Sequence, residues 1–585
     1  MAGPIEGISL AEKLGDVREK LGKVYILVTG VLMPGGAFQM ETADVRGVPM
    51  KVFKTVTPAL GGMYHQYLKR FADQEWLVYE GERYTFKESE KLMVAVASEL
   101  VNSYGVKHGD RVGIAMRNLP EFMIGFLGIT YAGGVAVPLN AMWTTEEFEY
   151  AVKDSAMKLM IADPERLKLC QPFMGALGVQ AILCRGDAAA AQELGALALW
   201  TDVLEKGTRK PAPSFKHVKH EDEAMIMYTS GTTGFPKGVV HTQRSVGACI
   251  KLGELVTALM PESNSKALMA VPMFHITALG NTFLWSLSRG NVIVMMRKWD
   301  AGEALRIIEQ EKATRFTGVP TMIKDMLDHP NFKAEAFATM KSLAAGGAPV
   351  PPSLVAQMRQ KSKSSGAMQG YGLTETMGGV ILNSGVDYLK NPTSCGKPIP
   401  MIVDAQVKDP ATGKVLPDGS RGELCIKSVF NMKCYNNREE DTKKAIDSEG
   451  YFHTGDIAKI EGGFVYILDR LKDIIIRGGE NIDCSEVEAV LYQHPSVREC
   501  SVFGLPDERL GEVVGVAVWP SGPLTAAELS AHAASGKLAK FKVPLQEHIF
   551  LVDEALPKGA TGKIDKQGIR EKYSGLMSGP PMSKM

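Results

Sequence analysis

Residues 228–238 read YTSGTTGFPKG, which places three glycines, four Ser/Thr hydroxyls and one lysine within eleven positions. This is the composition of a loop that holds phosphate. Glycine lets backbone N–H groups close around an oxyanion, Thr229, Ser230, Thr232 and Thr233 add hydroxyl donors, and Lys237 supplies a point charge for the outer phosphates. Residues 224–228 (AMIMY) have the apolar run of a short buried strand. The pattern from Val239 onward (VVHTQRSVGACIKLGEL) reads as helical, which predicts that the glycines occupy a strand-to-helix turn. Lys237 lacks the G-x-x-x-x-G-K-[ST] spacing, so this is not a Walker A loop.

Outward from the loop, strand and helix alternate. On its N-terminal side the spacing predicts a helix over 59–73, two short strands over 76–84 and a helix to Tyr104 opened by a Thr85/Glu88 capping box. Strands over 111–116, 135–138 and 158–163 then alternate with helices over 120–131 and 146–153. On its C-terminal side strands are predicted over 267–271, 292–296, 315–319 and 343–345. Such alternation means mainly parallel sheet with helices on both faces, and ligands gather at the carboxyl ends of the strands. Three segments stand there: PMFHITALG with His275, Gly346-Gly347-Ala348-Pro349, and GYGLTET over 370–376. Beyond Asn391 turn residues dominate and predict a small antiparallel β-subdomain containing GYFHTGD, with Asp456 after a tight turn. The charged run 469–473 (DRLKD) is the expected domain boundary, and the remaining hundred or so residues have the size of a small α/β domain. It carries RGGENI, with Gly478 and Gly479, and ends near PKGATGKI with Lys563.

The predicted fold class is therefore α/β. A large N-terminal domain of doubly wound, mainly parallel sheets with a small β-subdomain (58–470) precedes a mobile small α+β C-terminal domain (471–572). Residues 1–57 are expected to be an N-terminal extension and 573–585 a flexible tail.

The phosphate loop and the motifs that follow it in order resemble the adenylate-forming superfamily: acyl- and aryl-CoA synthetases, adenylation domains of peptide synthetases and firefly luciferase. The resemblance covers about residues 58 to 572. It implies ATP, Mg²⁺ and coenzyme A as cofactor and co-substrates, and it implies roles residue by residue. Ser230, Gly231, Thr232, Thr233, Gly234 and Lys237 would hold phosphates. Gly347 and Ala348 would pass under the adenine, with Tyr371 stacked on it beside Gly372. Thr374 would meet the α-phosphate, and Glu375 with Thr229 would bind Mg²⁺. Asp456 would accept both ribose hydroxyls and Arg470 would touch ribose and phosphate. Lys563 would be the catalytic lysine, Lys472 the pivot of a rotating small domain, and Gly478 and Gly479 the lining of the pantetheine channel. His275, Gly346 and Met377 would border the acyl group. The family usually carries proline where this chain has Cys484, which is expected to alter the start of the helix predicted there and leave the chemistry intact.

The implied chemistry is coherent. A carboxylate cannot be attacked directly by a thiol, because oxide is a hopeless leaving group; transfer to the α-phosphate of ATP makes an acyl-AMP from which a thiol displaces AMP. An anion must attack a polyanion, so cations surround the reacting atoms. The stretch MFHITALGNTFLW and the glycines near 346 and 378 are apolar or small and carry no Lys, Arg or Asp, which disfavours an amino-acid substrate. A medium- or long-chain fatty acid is expected first, an aryl acid second, and a luciferase-like use of the adenylate stays open. A nucleotide-binding pseudoenzyme is disfavoured, because Lys563, Glu375 and Asp456 are all present.

Composition sets further bounds. The 585 residues exceed one core, and 45% hydrophobic with 23% charged residues is ordinary for a globular protein. Sixty-six basic residues balance 66 acidic ones, which argues against nucleic acid as partner. Eight cysteines without a C-x-x-C pair fit a reducing compartment. The longest early apolar run, 24–33, is about half a membrane span, and Glu6, Glu12, Asp16 and Glu19 before it disfavour a signal or transit peptide. Ile8, Leu10, Leu14, Val17, Leu21 and Val24 recur at helical spacing and are expected to pack on the protein body, with peripheral membrane contact as the alternative. Ser583-Lys584-Met585 differs from the peroxisomal S-K-L address only in its last residue, so an import receptor and a peroxisome or related microbody stand as one expectation, and the cytoplasm as the other.

Overall fold

The computed structural model describes residues 36–214, 217–229, 236–259, 265–348, 350–362, 366–535, 538–559 and 563–577. Two mainly parallel sheets form the body. The first runs Cys434–Tyr435, Lys237–Thr242, Glu223–Thr229, Val135–Pro138, Arg111–Ala115, Leu159–Ala162, Gln180–Leu183, Ala198–Leu199, parallel from its third strand onward. In the second, six parallel strands (Gly366–Leu373, Ser342–Gly346, Arg315–Gly318, Lys266–Met269, Val292–Met295, Glu75–Tyr79) are flanked by antiparallel strands at both edges.

The helix Pro120–Tyr131 joins the two sheets. Its sequence, PEFMIGFLGITY, is apolar on nearly every face, every one of its residues is buried, and Glu121 is paired with Arg185 at 2.6 Å. Phe126 meets Phe283 edge to face at 5.7 Å, and Phe283 in turn lies 6.1 Å from Trp76 of the second sheet. Phe126 is 0% exposed, so Phe126→Ala leaves a cavity that costs about 3–5 kcal/mol. A urea midpoint lowered without a change in slope checks this.

The Thr85/Glu88 capping box forms as the spacing predicts. Three expectations are corrected. Residues 237–242 are a strand, Lys237–Thr242, paired antiparallel with Glu223–Thr229, and the helix starts only at Gln243. Val239 and Val240 fit a pleated surface better than a helix, which is why this segment pairs with Glu223–Thr229. The body also begins before residue 58, because the hairpin Met40–Val45/Val48–Phe53 buries Val45, Met50, Val52 and Phe53 in the main core. The small domain likewise extends past residue 572, since Tyr573 on the helix Lys566–Met577 stacks on Phe550 at 4.1 Å. Residues 1–35, the segment 230–235 and the C-terminal tripeptide, with the readings made for them, lie outside the described residues.

The antiparallel β-subdomain is present as four strands, Val403–Lys408, Gly422–Ser428, Phe452–Glu461 and Phe464–Arg470. The last leads through the turn at Leu471 and Lys472 into the small domain, whose sheet includes Ile475–Arg477, Glu480–Ile482, Val497–Asp507 and Gly511–Pro520. The two domains meet through Arg421, which grips Asp483 with two N–H groups at 2.6 and 2.9 Å. The helix Cys484–Leu491 starts at the residue where a proline was anticipated. There the backbone N–H of Cys484 donates to Asp469 Oδ2, a bond proline could not make.

Candidate active site

The site forms where strand ends of both sheets face the β-subdomain and the small domain. Asp456 and Arg470 are cross-strand partners, so their side chains share one face. Arg470 Nε is 2.6 Å from Asp456 Oδ1, and the Tyr371 hydroxyl donates to Oδ2 at 2.5 Å. Asp456 is 3% exposed, and burial raises its carboxyl above the usual range against the pull of Arg470. Tyr371 sits at a bulge before Gly372, where a Cβ would lie 1.8 Å from the Gly378 carbonyl oxygen; only glycine admits this approach.

Lys563 enters from the small domain. A Cβ added at Gly347, whose φ is +79°, would lie 3.6 Å from Lys563 Cε, which places the lysine against the Gly346–Gly347 turn. Burial and then Arg470 lower its pKa, while Asp456 works the other way. His275 faces the same charge: burial, then Lys563, press its pKa down to about 3. Its Nε2 is buried without a hydrogen-bond partner among the described residues.

Glu375 occupies a 3₁₀ turn, Thr374–Thr376, directly after the strand Gly366–Leu373. The Tyr435 hydroxyl donates to its Oε1 at 2.9 Å, and burial raises its pKa, opposed by Tyr435, Arg470 and Lys237. Lys237 pairs with Asp441 at 2.8 Å and lies 5.1 Å from the Tyr435 ring centre. Thr229, at the hairpin's other stem, faces Lys237 across the pair. Beneath this turn His241 Nε2–H donates to the Thr374 carbonyl at 2.7 Å, and burial lowers the ring's pKa to about 4.

That value lies below the 6.5 of the free side chain. The neutral ring therefore stabilises the fold in full above pH 6.5, and its contribution, about 3 kcal/mol, is lost as pH falls towards 4. His241→Gln is expected to flatten the stability profile between pH 6.5 and 4, measured by denaturant unfolding at stepped pH.

A cavity of about 90 Å³ adjoins the turn. It is bounded by Gly346 and Gly347 at the carboxyl end of their strand, with Gly370 paired beside Gly346, and by Ala267 and Arg315 at the amino ends of theirs. Four residue steps, Ser342 to Gly346, span about 13 Å of strand. Its apolar walls include Leu268, Ile276, Trp285, Met368 and Leu382. Ile276 and Gly378 line it in place of their neighbours His275 and Met377; Met377 adopts a left-handed φ of +58° and is 3% exposed. The lining also holds Arg289 and Arg315, so the expectation of a pocket without Lys or Arg is corrected. Both come from outside the stretch that was read for it.

Not all predicted residues converge. Lys472 is exposed in the interdomain turn, and Gly478 and Gly479 form the exposed two-residue turn of a hairpin, with φ of +59° and +86°. Tyr435 and Asp441 were missed. Tyr435 reaches the site only because its short strand pairs with Val239 at the sheet edge, a contact without local signal.

This arrangement, a lysine and an arginine beside a buried carboxylate, a second carboxylate and an adjoining cavity of about 90 Å³, agrees with comparisons to known proteins. The model of the AMP-binding enzymes matches residues 64–436, and that of their C-terminal domain matches 486–563. The chain is an AMP-binding enzyme. It is 34% identical to a long-chain-fatty-acid–CoA ligase of Mycobacterium tuberculosis over 82% of this chain and 91% of that one. A feruloyl-CoA synthase of Amycolatopsis is 33% identical over 84% and 94%. Among solved structures, ATP-bound MatB from Rhodopseudomonas palustris superposes with a TM-score of 0.77 at 27% identity, covering 88% of this chain and 99% of that one. The o-succinylbenzoate CoA synthetase of Bacillus subtilis with its acyl-adenylate gives 0.72 at 26%, covering 89% and 99%. Within the AMP-binding enzymes the chain thus belongs to the adenylate-forming acid–CoA ligases. Among the described residues no helix is long and apolar enough to cross a membrane.

Proposed function

We propose that this enzyme activates a medium- or long-chain fatty acid as acyl-AMP, releasing pyrophosphate, and passes the acyl group to coenzyme A. The observation that carries the reading is the cavity of largely apolar walls that reaches from Gly346 and Gly347, beside Lys563, about 13 Å along the sheet. Lys563 and Arg470 supply positive charge where carboxylate oxygen meets α-phosphate, and Asp456 takes the ribose hydroxyls in exchange for part of its bonding to Tyr371 and Arg470. Glu375 and Thr229 are the proposed oxygen ligands of Mg²⁺; a carboxylate whose charge burial disfavours suits a hard cation, which would supply charge neutralisation to the phosphates. Lys237 meets the phosphates on leaving Asp441. In the orientation seen here Lys563 faces the cleft while Gly478 and Gly479 are exposed, so rotation about Lys472 exchanges them between the two half-reactions.

A second reading, an aryl acid with polar ring substituents, is favoured by one feature. Gln369 borders the cavity, and its Oε1 is buried without a partner among the described residues, an acceptor that a ring hydroxyl would satisfy. Coenzyme-A-dependent AMP release across saturated fatty acids, hydroxycinnamic acids and amino acids tests both. A maximum among fatty acids supports the first reading and one among hydroxycinnamates replaces it with the second. Pyrophosphate release without thioester overturns the ligase assignment for this chain.

A further inference from the structure

A second cluster of chemically capable side chains lies in the β-subdomain. Glu423 and Cys425 are two apart on the strand Gly422–Ser428 and so share a face, and Cys425 is the cross-strand partner of His453. His453 Nδ1 is 2.8 Å from Glu423 Oε2 and 3.5 Å from Cys425 Sγ, and the three donor atoms lie within 4.8 Å of one another. On the far side of the ring, Nε2 is 3.5 Å from Asp447 Oδ2.

We propose that Glu423, Cys425 and His453 bind a borderline-soft divalent cation of the Zn²⁺ class, with Asp447 as the outer carboxylate that orients the histidine. Thiolate, imidazole and carboxylate together suit such an ion and not a hard one such as Mg²⁺. Tetrahedral bonds of about 2.3 Å to sulphur and about 2.0 Å to nitrogen set those two atoms about 3.5 Å apart, the separation Cys425 and His453 already have. The shorter Nδ1 to Oε2 contact must open by roughly 0.5 Å as the cation takes the place of the proton between them. A histidine that ligates through one nitrogen characteristically donates from the other to a carboxylate, and Asp447 stands there.

Charge favours the ion as well. Glu423, Asp447 and Glu449 are three carboxylates, and the neighbouring Lys408 spends its ammonium on Asp447 at 2.6 Å and Glu449 at 3.2 Å, not on the three ligands. The ligand is the thiolate, so binding expels the Cys425 thiol proton, while the proton on Nδ1 moves to Nε2 beside Asp447. The site has a route to the active centre: Glu423 Oε1 accepts the N–H of Gly455 at 3.0 Å, so the ion braces the segment that presents Asp456.

The test is a Co²⁺ titration of the metal-free full chain, followed by the sulphur-to-metal charge-transfer band and by proton release. One equivalent is expected to bind with that band and to be displaced by Zn²⁺. Cys425→Ser should abolish the band, Cys434→Ser at a half-buried thiol outside the cluster should keep it, and Asp447→Asn should keep it while weakening binding about 10–100-fold. A wild-type spectrum without a thiolate band, or a band that survives Cys425→Ser, overturns the proposal.

Discussion

Lys563→Ala is expected to reduce acyl-adenylate formation by about 10²–10³-fold while leaving thioester formation from preformed acyl-AMP near the wild-type rate. The magnitude follows from what the lysine does in this geometry. It stands against the Gly346–Gly347 turn and is close enough to Arg470 and Asp456 for each to shift its pKa, so its charge lies where carboxylate and α-phosphate must meet. Neither neighbouring cation takes its place: Lys237 goes to the outer phosphates on leaving Asp441, and Arg470 keeps part of its bonding to Asp456. In the second half-reaction the adenylate exists already and AMP is a competent leaving group, so that charge is no longer needed. The measurement is a pair of single-turnover assays, pyrophosphate release from ATP plus acid and thioester formation from synthetic acyl-AMP plus coenzyme A. Equal loss in both would make Lys563 a structural residue of the small domain. Loss in neither would remove it from the chemistry. Because the Lys563 side chain makes no hydrogen bond or ion pair among the described residues, the stability of the variant should stay within about 0.5 kcal/mol of the parent.

Much of this was legible from short strings because adenylate chemistry concentrates its groups at strand ends, and strand ends are marked by glycine. The turn at Gly346-Gly347 closes its strand as expected, whereas 370–373 lies within the strand Gly366–Leu373, and Asp456, expected after a tight turn, lies within the strand Phe452–Glu461. What escaped was tertiary or depended on a choice between two periods. Val239 and Val240 satisfy an apolar helix stripe and a buried strand equally well over so short a window, and pairing with Met227 and Ile226 decided for the strand. Arg289 and Arg315 reach the cavity from the end of one helix and the start of one strand, so no reading of the stretch around His275 could count them. Tyr435 and Asp441 act on Glu375 and Lys237 through an edge strand and a short helix that sequence alone leaves as polar turns. The 40–53 hairpin looked like an appendage because its buried residues complete a core that is built almost wholly from later sequence.

Asp456→Ala is expected to raise the KM for ATP about 10- to 100-fold and to lower stability by about 3 kcal/mol, whereas Asp456→Asn should retain most of the stability and still lose ATP affinity. The two effects separate because the carboxylate has two duties. Without nucleotide it accepts from the Tyr371 hydroxyl and pairs with Arg470, and it is 3% exposed, so alanine strands a buried hydroxyl and an arginine at once. Arg470 is 44% exposed on its side chain and recovers part of the loss from water, which keeps the penalty at the lower end of the range for a broken buried pair. Asparagine keeps an oxygen for Tyr371 but offers one acceptor where two ribose hydroxyls both require one, and it removes the charge that strengthens each bond. Denaturant unfolding and ATP saturation curves on the two variants distinguish these duties. A KM unchanged in Asp456→Asn would assign the residue to the Tyr371–Arg470 network alone. That outcome would shift ribose recognition away from the GYFHTGD segment, where cross-strand pairing of Asp456 with Arg470 is what now aims the carboxylate into the cleft.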